Sequence, residues 1–176
     1  MNTIEVIKSR CSYRGRFKDV PVPKERLKTI MECGISAPSG CNKQTTSLIA
    51  VDDKKILKEL FNVINPPICE TAPCMICVLT QKVFAYRDKC YSVQDYSACI
   101  ENMLLAITHF GYVSCWVEGH ITDDDNIGRK MADILNVPKD YDLVCFLPIG
   151  YPDEPLKYVS KKPFTDRAWF NGFNLK

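Results

Sequence analysis

Ala37-Pro38-Ser39-Gly40-Cys41-Asn42-Lys43-Gln44 separates two stretches of different periodicity, and the fold class turns on that change. Before it, Leu27, Ile30, Met31 and Ile35 recur at helical spacing, so Lys24 to Ile35 reads as a helix with one apolar face. After it, Ser47 to Val51 is a short apolar run of strand length. Pro38 ends the helix and leaves 37–44 as a loop.

The same alternation continues in both directions. Ile4 and Ile7 with polar residues between them suit a first helix ending near Arg10. Asp52 and Asp53 can cap a helix carrying Ile56, Leu57, Leu60, Phe61 and Ile64, which Pro66 and Pro67 break. Cys74 to Thr80 reads as a buried strand. Tyr96, Cys99, Ile100, Met103, Leu104 and Ile107 give a long helix from about Val93 to Phe110, with Gly111 as its cap. A strand at 113–117 follows, then a helix opened by Asp123 to Asp125, running to Leu135 and stopped by Pro138. Leu143 to Ile149 is a last strand, closed by a sharp exit at Gly150-Tyr151-Pro152. Strands alternating with helices indicate one α/β domain over 1–176 with a layered sheet. The arm at 153–176 has no periodicity, yet Phe164, Trp169, Phe170 and Phe173 favour its packing on something. The long helix offers more apolar surface than a monomer of this size covers, which favours a dimer.

Composition excludes several function classes. With 46% apolar and 25% charged residues the chain is ordinary for a globular protein. A formal charge of +2 with no basic block gives no nucleic-acid footprint. The start lacks a signal-peptide pattern and the apolar runs are too short to span a bilayer, so a cytoplasmic, membrane-free protein is expected. Ten cysteines without that pattern read as reduced thiols. Cys74-Met75-Ile76-Cys77 has dithiol spacing but sits in the expected buried strand, and no second pair completes a zinc site. No metal is expected. There is no Walker loop, no Gly-x-Gly-x-x-Gly and no Gly-x-Ser-x-Gly elbow. His109 reads as a packed helix residue, and His120 as the histidine able to approach a site.

Three motifs remain, each with a plain structural reading beside a chemical one. Arg10-Cys11-Ser12-Tyr13-Arg14 carries two guanidiniums and a hydroxyl suited to a phosphate, or is a solvated helix end. The 37–44 loop could read a heterocycle with its amides, or simply connect. Trp116-Val117-Glu118-Gly119 could present backbone N–H groups to a ring, with Trp116 otherwise a core aromatic and Glu118 a surface carboxylate.

In their order and separation these stretches resemble the FMN-dependent nitroreductase family, from about residue 4 to residue 170. The matching elements are R-x-S-x-R, A-P-S-x-x-N-x-Q, G-x-x-S-x-W or P-x-E-G, and a basic tail element at Lys161-Lys162-Pro163. The resemblance implies a central mixed sheet flanked by helices and a homodimer with FMN at its interface. The C-terminal arm would pack on the partner. It implies that Arg10, Cys11, Ser12 and Lys161 or Lys162 hold the phosphate region, with Arg14 near flavin N1 and O2. Pro38, Ser39, Asn42 and Gln44 would reach the flavin of the neighbouring subunit. Val117, Glu118 and Gly119 would lie near N5, with no side-chain acid or base required. The implied activity is transfer of hydride from NADH or NADPH through FMN to nitroaromatic, quinone or similar acceptors in a ping-pong cycle. Dehalogenases and flavin-fragmenting enzymes share the fold, and a non-catalytic FMN-binding protein is the reading from another class. Thr45-Thr46 stand where the family often has Pro and an aromatic, which points to a different substrate-facing wall.

Overall fold

The computed structural model describes residues 1–121 and 125–173. Its frame is a three-stranded antiparallel sheet of β1 (Thr46–Val51), β2 (Cys74–Thr80) and β3 (Asp142–Ile149), in the order β1-β2-β3. Ile49 stands opposite Cys77, which stands opposite Phe146, and a bulge interrupts the β2–β3 register between Val78 and Leu79. All seven residues of β2 are buried, as a central strand covered on both faces requires. Strand alternation then divides them between two cores. Met75, Cys77 and Leu79 pack with residues of α3 (Lys54–Val63) and α5 (Ile127–Ile134). Cys74, Ile76 and Val78 pack with α2 (Lys24–Ile35) and α4 (Ser92–His109). The molecule is therefore three layers, helices on either side of one sheet. Each fully buried leucine or isoleucine contributes about 1.5–3 kcal/mol to holding them together.

The expected C-x-x-C strand is confirmed in a way that excludes dithiol chemistry. Cys74 and Cys77 point to opposite faces of β2, and burial pushes both thiols up to about 12. All ten cysteines are free.

Several expectations need correction. The three-stranded sheet is antiparallel rather than mixed; among the described residues the one parallel pairing is an isolated bridge between Ser12 and Ser114, outside the sheet. The segment at 113–117 does not form a continuous strand. Val113 pairs with Gly150 and Val117 with Phe146, in one antiparallel register, while the Ser114 carbonyl between them accepts from Tyr13 N–H at 2.9 Å. That diversion breaks the ladder. α1 (Thr3–Ser9) buries only Val6, leaving Ile4 and Ile7 59% and 48% exposed. Ile35 and Ile56 are likewise exposed. His109 is exposed at the end of α4, its ring edge-on to Phe110. Gly150 serves close packing as well as the turn, since a Cβ there would lie 2.8 Å from Pro73 Cδ.

Asp123 and Asp124 lie outside the described residues, and Asp125 stands in a turn ahead of α5. That helix ends before Pro138 acts. Asn136 takes φ 55° and Val137 N–H reaches back to the Ala132 carbonyl at 2.8 Å, closing the last turn. Gly111, with φ 79°, ends α4 as expected. The arm beyond Pro152 is largely exposed, Phe164, Phe170 and Phe173 included. Among the described residues no helix is long and apolar enough to cross a membrane.

Candidate functional site

Beyond α1 the chain forms an isolated bridge at Ser12, where the exposed Ser12 and Arg14 flank a buried Tyr13. Tyr13 is buried, its hydroxyl donating to the Arg16 carbonyl and accepting from the Asp153 and Glu154 N–H groups at 3.2 Å each. Ser12 and Arg14, its neighbours, stand exposed, and Cys11 is half-buried. Arg10 pairs through Nε with Glu101 of α4 at 3.6 Å. Ser12 forms a parallel bridge with Ser114 and Tyr13 N–H donates to the Ser114 carbonyl at 2.9 Å, which locates the stretch; burial pushes the neighbouring Cys115 thiol up, while the charges of Arg14 and Arg10 pull it down. The stretch that carries two cations and a hydroxyl thus lies beside residues 114–115.

The 37–44 loop is held by strained backbone. Cys41, Asn42 and Gln44 take φ of 50°, 53° and 50°, a region uncommon for residues other than glycine. Ser39 Oγ accepts from Gln44 N–H at 3.0 Å. Gly40 N–H donates to Asp95 Oδ1 at 2.7 Å and Thr45 Oγ1 to Asp95 Oδ2 at 2.7 Å. Gly40 is packed so closely on Tyr91 that a Cβ would lie 2.6 Å from the tyrosine Cβ. The exposed side chains are those of Pro38, Cys41, Asn42, Lys43 and Gln44. A cavity of about 200 Å³ lies behind them, lined by Ser39, Thr46, Asp95 and Cys99 among others. Thr45 is 3% exposed and its hydroxyl is committed to Asp95. The Thr45-Thr46 departure therefore changes an anchor, not the wall toward a substrate, at its first position.

The third stretch ends in a clamp. Val117 is buried and exchanges two backbone bonds with Phe146, at 3.2 and 3.0 Å. Glu118 is no surface carboxylate. Its two oxygens accept from Tyr96 Oη at 2.9 Å and Trp116 Nε1 at 2.8 Å. Gly119 beyond it is exposed, and a Cβ there would meet nothing within 4 Å. The glycine faces open space.

Lys161 and Lys162 stand exposed on the arm, and His120 is half-buried next to Gly119. Among the described residues no hydrogen bond or ion pair joins 10–14 to 37–44. Both are tied instead to α4, at Glu101 and Asp95, six residues or roughly 9 Å of helix rise apart. Residues 10–14 and 114–119 come together within one chain. Asp95 and Tyr96 were missed by sequence reasoning, although a carboxylate on an otherwise apolar helical face was a usable signal.

Comparison with known proteins decides the family. Residues 7–67 and 61–151 match the sequence model of the nitroreductase family. The chain belongs to the nitroreductase family. Among solved structures, this nitroreductase-family chain is similar to an FMN-dependent nitroreductase of Clostridium difficile R20291. The two share 29% identity and a TM-score of 0.81, covering 97% of this chain and 99% of that one. It is 24% identical to the NADPH-flavin oxidoreductase of Vibrio harveyi, over 87% of this chain and 67% of that protein. It is also 24% identical to the iodotyrosine deiodinase of Nematostella vectensis, over 91% of this chain and 71% of that protein.

Proposed function

We propose that this nitroreductase-family protein is an FMN-dependent oxidoreductase that takes hydride from NADH or NADPH and reduces small conjugated acceptors, nitroaromatics or quinones, in a ping-pong cycle. The observation that carries this reading is the pairing of the Arg10–Arg14 stretch, through Ser12 and Tyr13, with Ser114 at the start of a segment that ends at an open glycine. The donor set fits FMN: guanidiniums and a hydroxyl for phosphate and pyrimidine edge, exposed amides for heterocycle or ribityl, an unobstructed ledge for rings. The bound flavin supplies the hydride chemistry, so the protein's task is binding, orientation and charge placement.

Arg10 and Ser12 hold the phosphate, with Lys161 or Lys162 completing the site and Cys11 contributing backbone between them. The Arg10–Glu101 pair does not oppose this. At 3.6 Å with Glu101 half exposed it is a weak surface contact, readily exchanged for a doubly charged group. Arg14 favours negative charge at the pyrimidine end of the ring. Val117, Glu118 and Gly119 present backbone beside N5, and Glu118 serves through its position, since both its oxygens are already occupied.

The distribution of these groups favours a homodimer. Residues 37–44 carry exposed amides and, among the described residues, share no hydrogen bond or ion pair with the chain's own 10–14 stretch, which suits contact with a second subunit's flavin through Pro38, Ser39, Asn42 and Gln44. A groove of about 590 Å³ along α1, α2 and α4, lined by Val6, Leu105, Ala106 and Phe110 among others, is available to the same partner.

A second reading keeps the flavin and changes the acceptor to a halogenated aromatic. It is favoured by the deiodinase relative, which the chain matches over 91% of its length. The test is the visible spectrum of the purified protein, then stopped-flow reduction by NADH and by NADPH and reoxidation by nitroaromatic, quinone and iodophenol acceptors. A yellow protein reduced by a nicotinamide supports the reading, and the acceptor series separates its two forms. A colourless protein that refuses added FMN overturns both.

A further inference from the structure

Asp95 and Tyr96 are neighbours in α4, and neither has been given a role toward the flavin so far. Asp95 is 4% exposed and faces no cation within ion-pair distance among the described residues. A carboxylate that deep is costly unless hydrogen bonds satisfy it. Its two bonds fall on either side of the strained backbone. Gly40 precedes Cys41, Asn42 and Gln44, and Thr45 follows them. Left-handed backbone at three non-glycine residues persists only where the surroundings over-determine it. The residues so held include Asn42 and Gln44, whose side chains stand in solvent.

Tyr96 faces the other way. It donates to Glu118, whose second oxygen is taken by Trp116, so the carboxylate cannot rotate and the backbone leading to Gly119 is fixed from two sides. Burial first, then the Glu118 carboxylate, push the Tyr96 phenol up to about 12, so it remains a proton donor at any working pH.

We propose that Asp95 and Tyr96 are positioning residues for the bound flavin, adjacent on one rigid helix, with Asp95 setting the 39–45 loop and Tyr96 setting the Glu118-Gly119 ledge. The inference rests on the flavin reading given above. In the dimer of that reading the loop serves the flavin across the interface and the ledge serves the chain's own. Two adjacent residues would then address two different cofactors.

The two arms have separate readouts. Asp95→Asn leaves Oδ1 for Gly40 and replaces the charge-assisted bond from the Thr45 hydroxyl with a weaker neutral one that the hydroxyl accepts, loosening the loop. The dissociation constant for FMN should rise about tenfold, and equally for riboflavin, because the loop does not touch phosphate. Thr45→Val removes the same bond from its other end and should give a smaller rise of the same kind. It carries the test if Asp95→Asn fails to fold. Tyr96→Phe keeps the packing and deletes one donor. It should shift the flavin midpoint potential and visible spectrum while the dissociation constant changes little. Fluorescence titration and potentiometry on the folded, FMN-loaded proteins read these quantities. A purely structural role would lower thermal stability and leave both unchanged, which overturns the proposal. Unchanged affinity in Asp95→Asn and Thr45→Val removes Asp95 from it, and an unchanged potential in Tyr96→Phe removes Tyr96. A wild-type protein without affinity for FMN overturns the flavin reading and the inference together, and so is distinguishable from failure of the positioning alone.

Discussion

Arg10 and Glu101 form a contact that a phosphate should displace, and the consequence is measurable at a single residue. We predict that Arg10→Ala weakens FMN binding about 10- to 100-fold through loss of a charge-assisted bond. Riboflavin, which lacks the phosphate, should bind the variant as it binds the wild type. Equal losses for the two ligands in a fluorescence titration would remove Arg10 from the phosphate site. A second prediction concerns backbone approach. A Cβ on Gly128 would lie 2.6 Å from the Leu143 carbonyl oxygen and 2.7 Å from Ile121 Cγ2, so α5 packs against β3 only because that position has no side chain. Gly128→Ala should destabilise the fold by about 1–3 kcal/mol, as overpacking does, and depress the melting temperature. A melting curve superimposed on that of the wild type would contradict the close approach. Neither effect was legible in the sequence. Arg10 carried a motif but not its Glu101 partner, and Gly128 carried no motif because the clash depends on where β3 lies.

Elements built on their own periodicity were legible, and elements built on distant partners were not. α2 at Lys24–Ile35 and β2 at Cys74–Thr80 follow the apolar spacing and the proline and aspartate punctuation. The 113–117 segment has strand composition, yet its pairing is divided among Gly150, Phe146 and the Ser12–Tyr13 backbone. No local pattern reveals that division. α1 was legible as a helix ending near Arg10, although Ile4 and Ile7, whose spacing marks it, do not face the core. The Asp53 cap of α3 was legible and yields a prediction at this scale. Its carboxylate accepts from Lys55 N–H at 2.8 Å and Ile56 N–H at 3.1 Å, and these bonds hold its pKa below the ordinary 3.8. A depressed folded-state pKa contributes stability above the unfolded value, which is lost as pH falls through the folded one. Asp53→Ala should therefore melt below the wild type at neutral pH, with the gap closing as pH drops below about 4. A gap independent of pH would mean that the carboxylate is not the cap.

The whole molecule leaves apolar surface exposed that the proposed dimer would cover. Ile4, Ile7, Phe164, Phe170 and Phe173 are exposed on α1 and the arm, while the sheet buries both faces of β2. Exposed aromatics in this number favour an interface. Removing residues 163–176 should shift the protein toward monomer in sedimentation and release FMN. A full-length monomer holding stoichiometric flavin would defeat the interface and leave the flavin assignment standing. At this scale the α/β class and the three motifs were legible, and the placement of both 10–14 and 37–44 on α4 was not, because only the packed helix brings Glu101 and Asp95 near them. The opposed thiols of β2 have a further use. Cys74 belongs to the α2/α4 core and Cys77 to the α3/α5 core, one on each side of the same strand. Neither can meet an alkylating reagent until its own layer parts from the sheet. Their labelling rates in the native protein, resolved by mass spectrometry, form a pair of clocks that time the separate opening of the two layers.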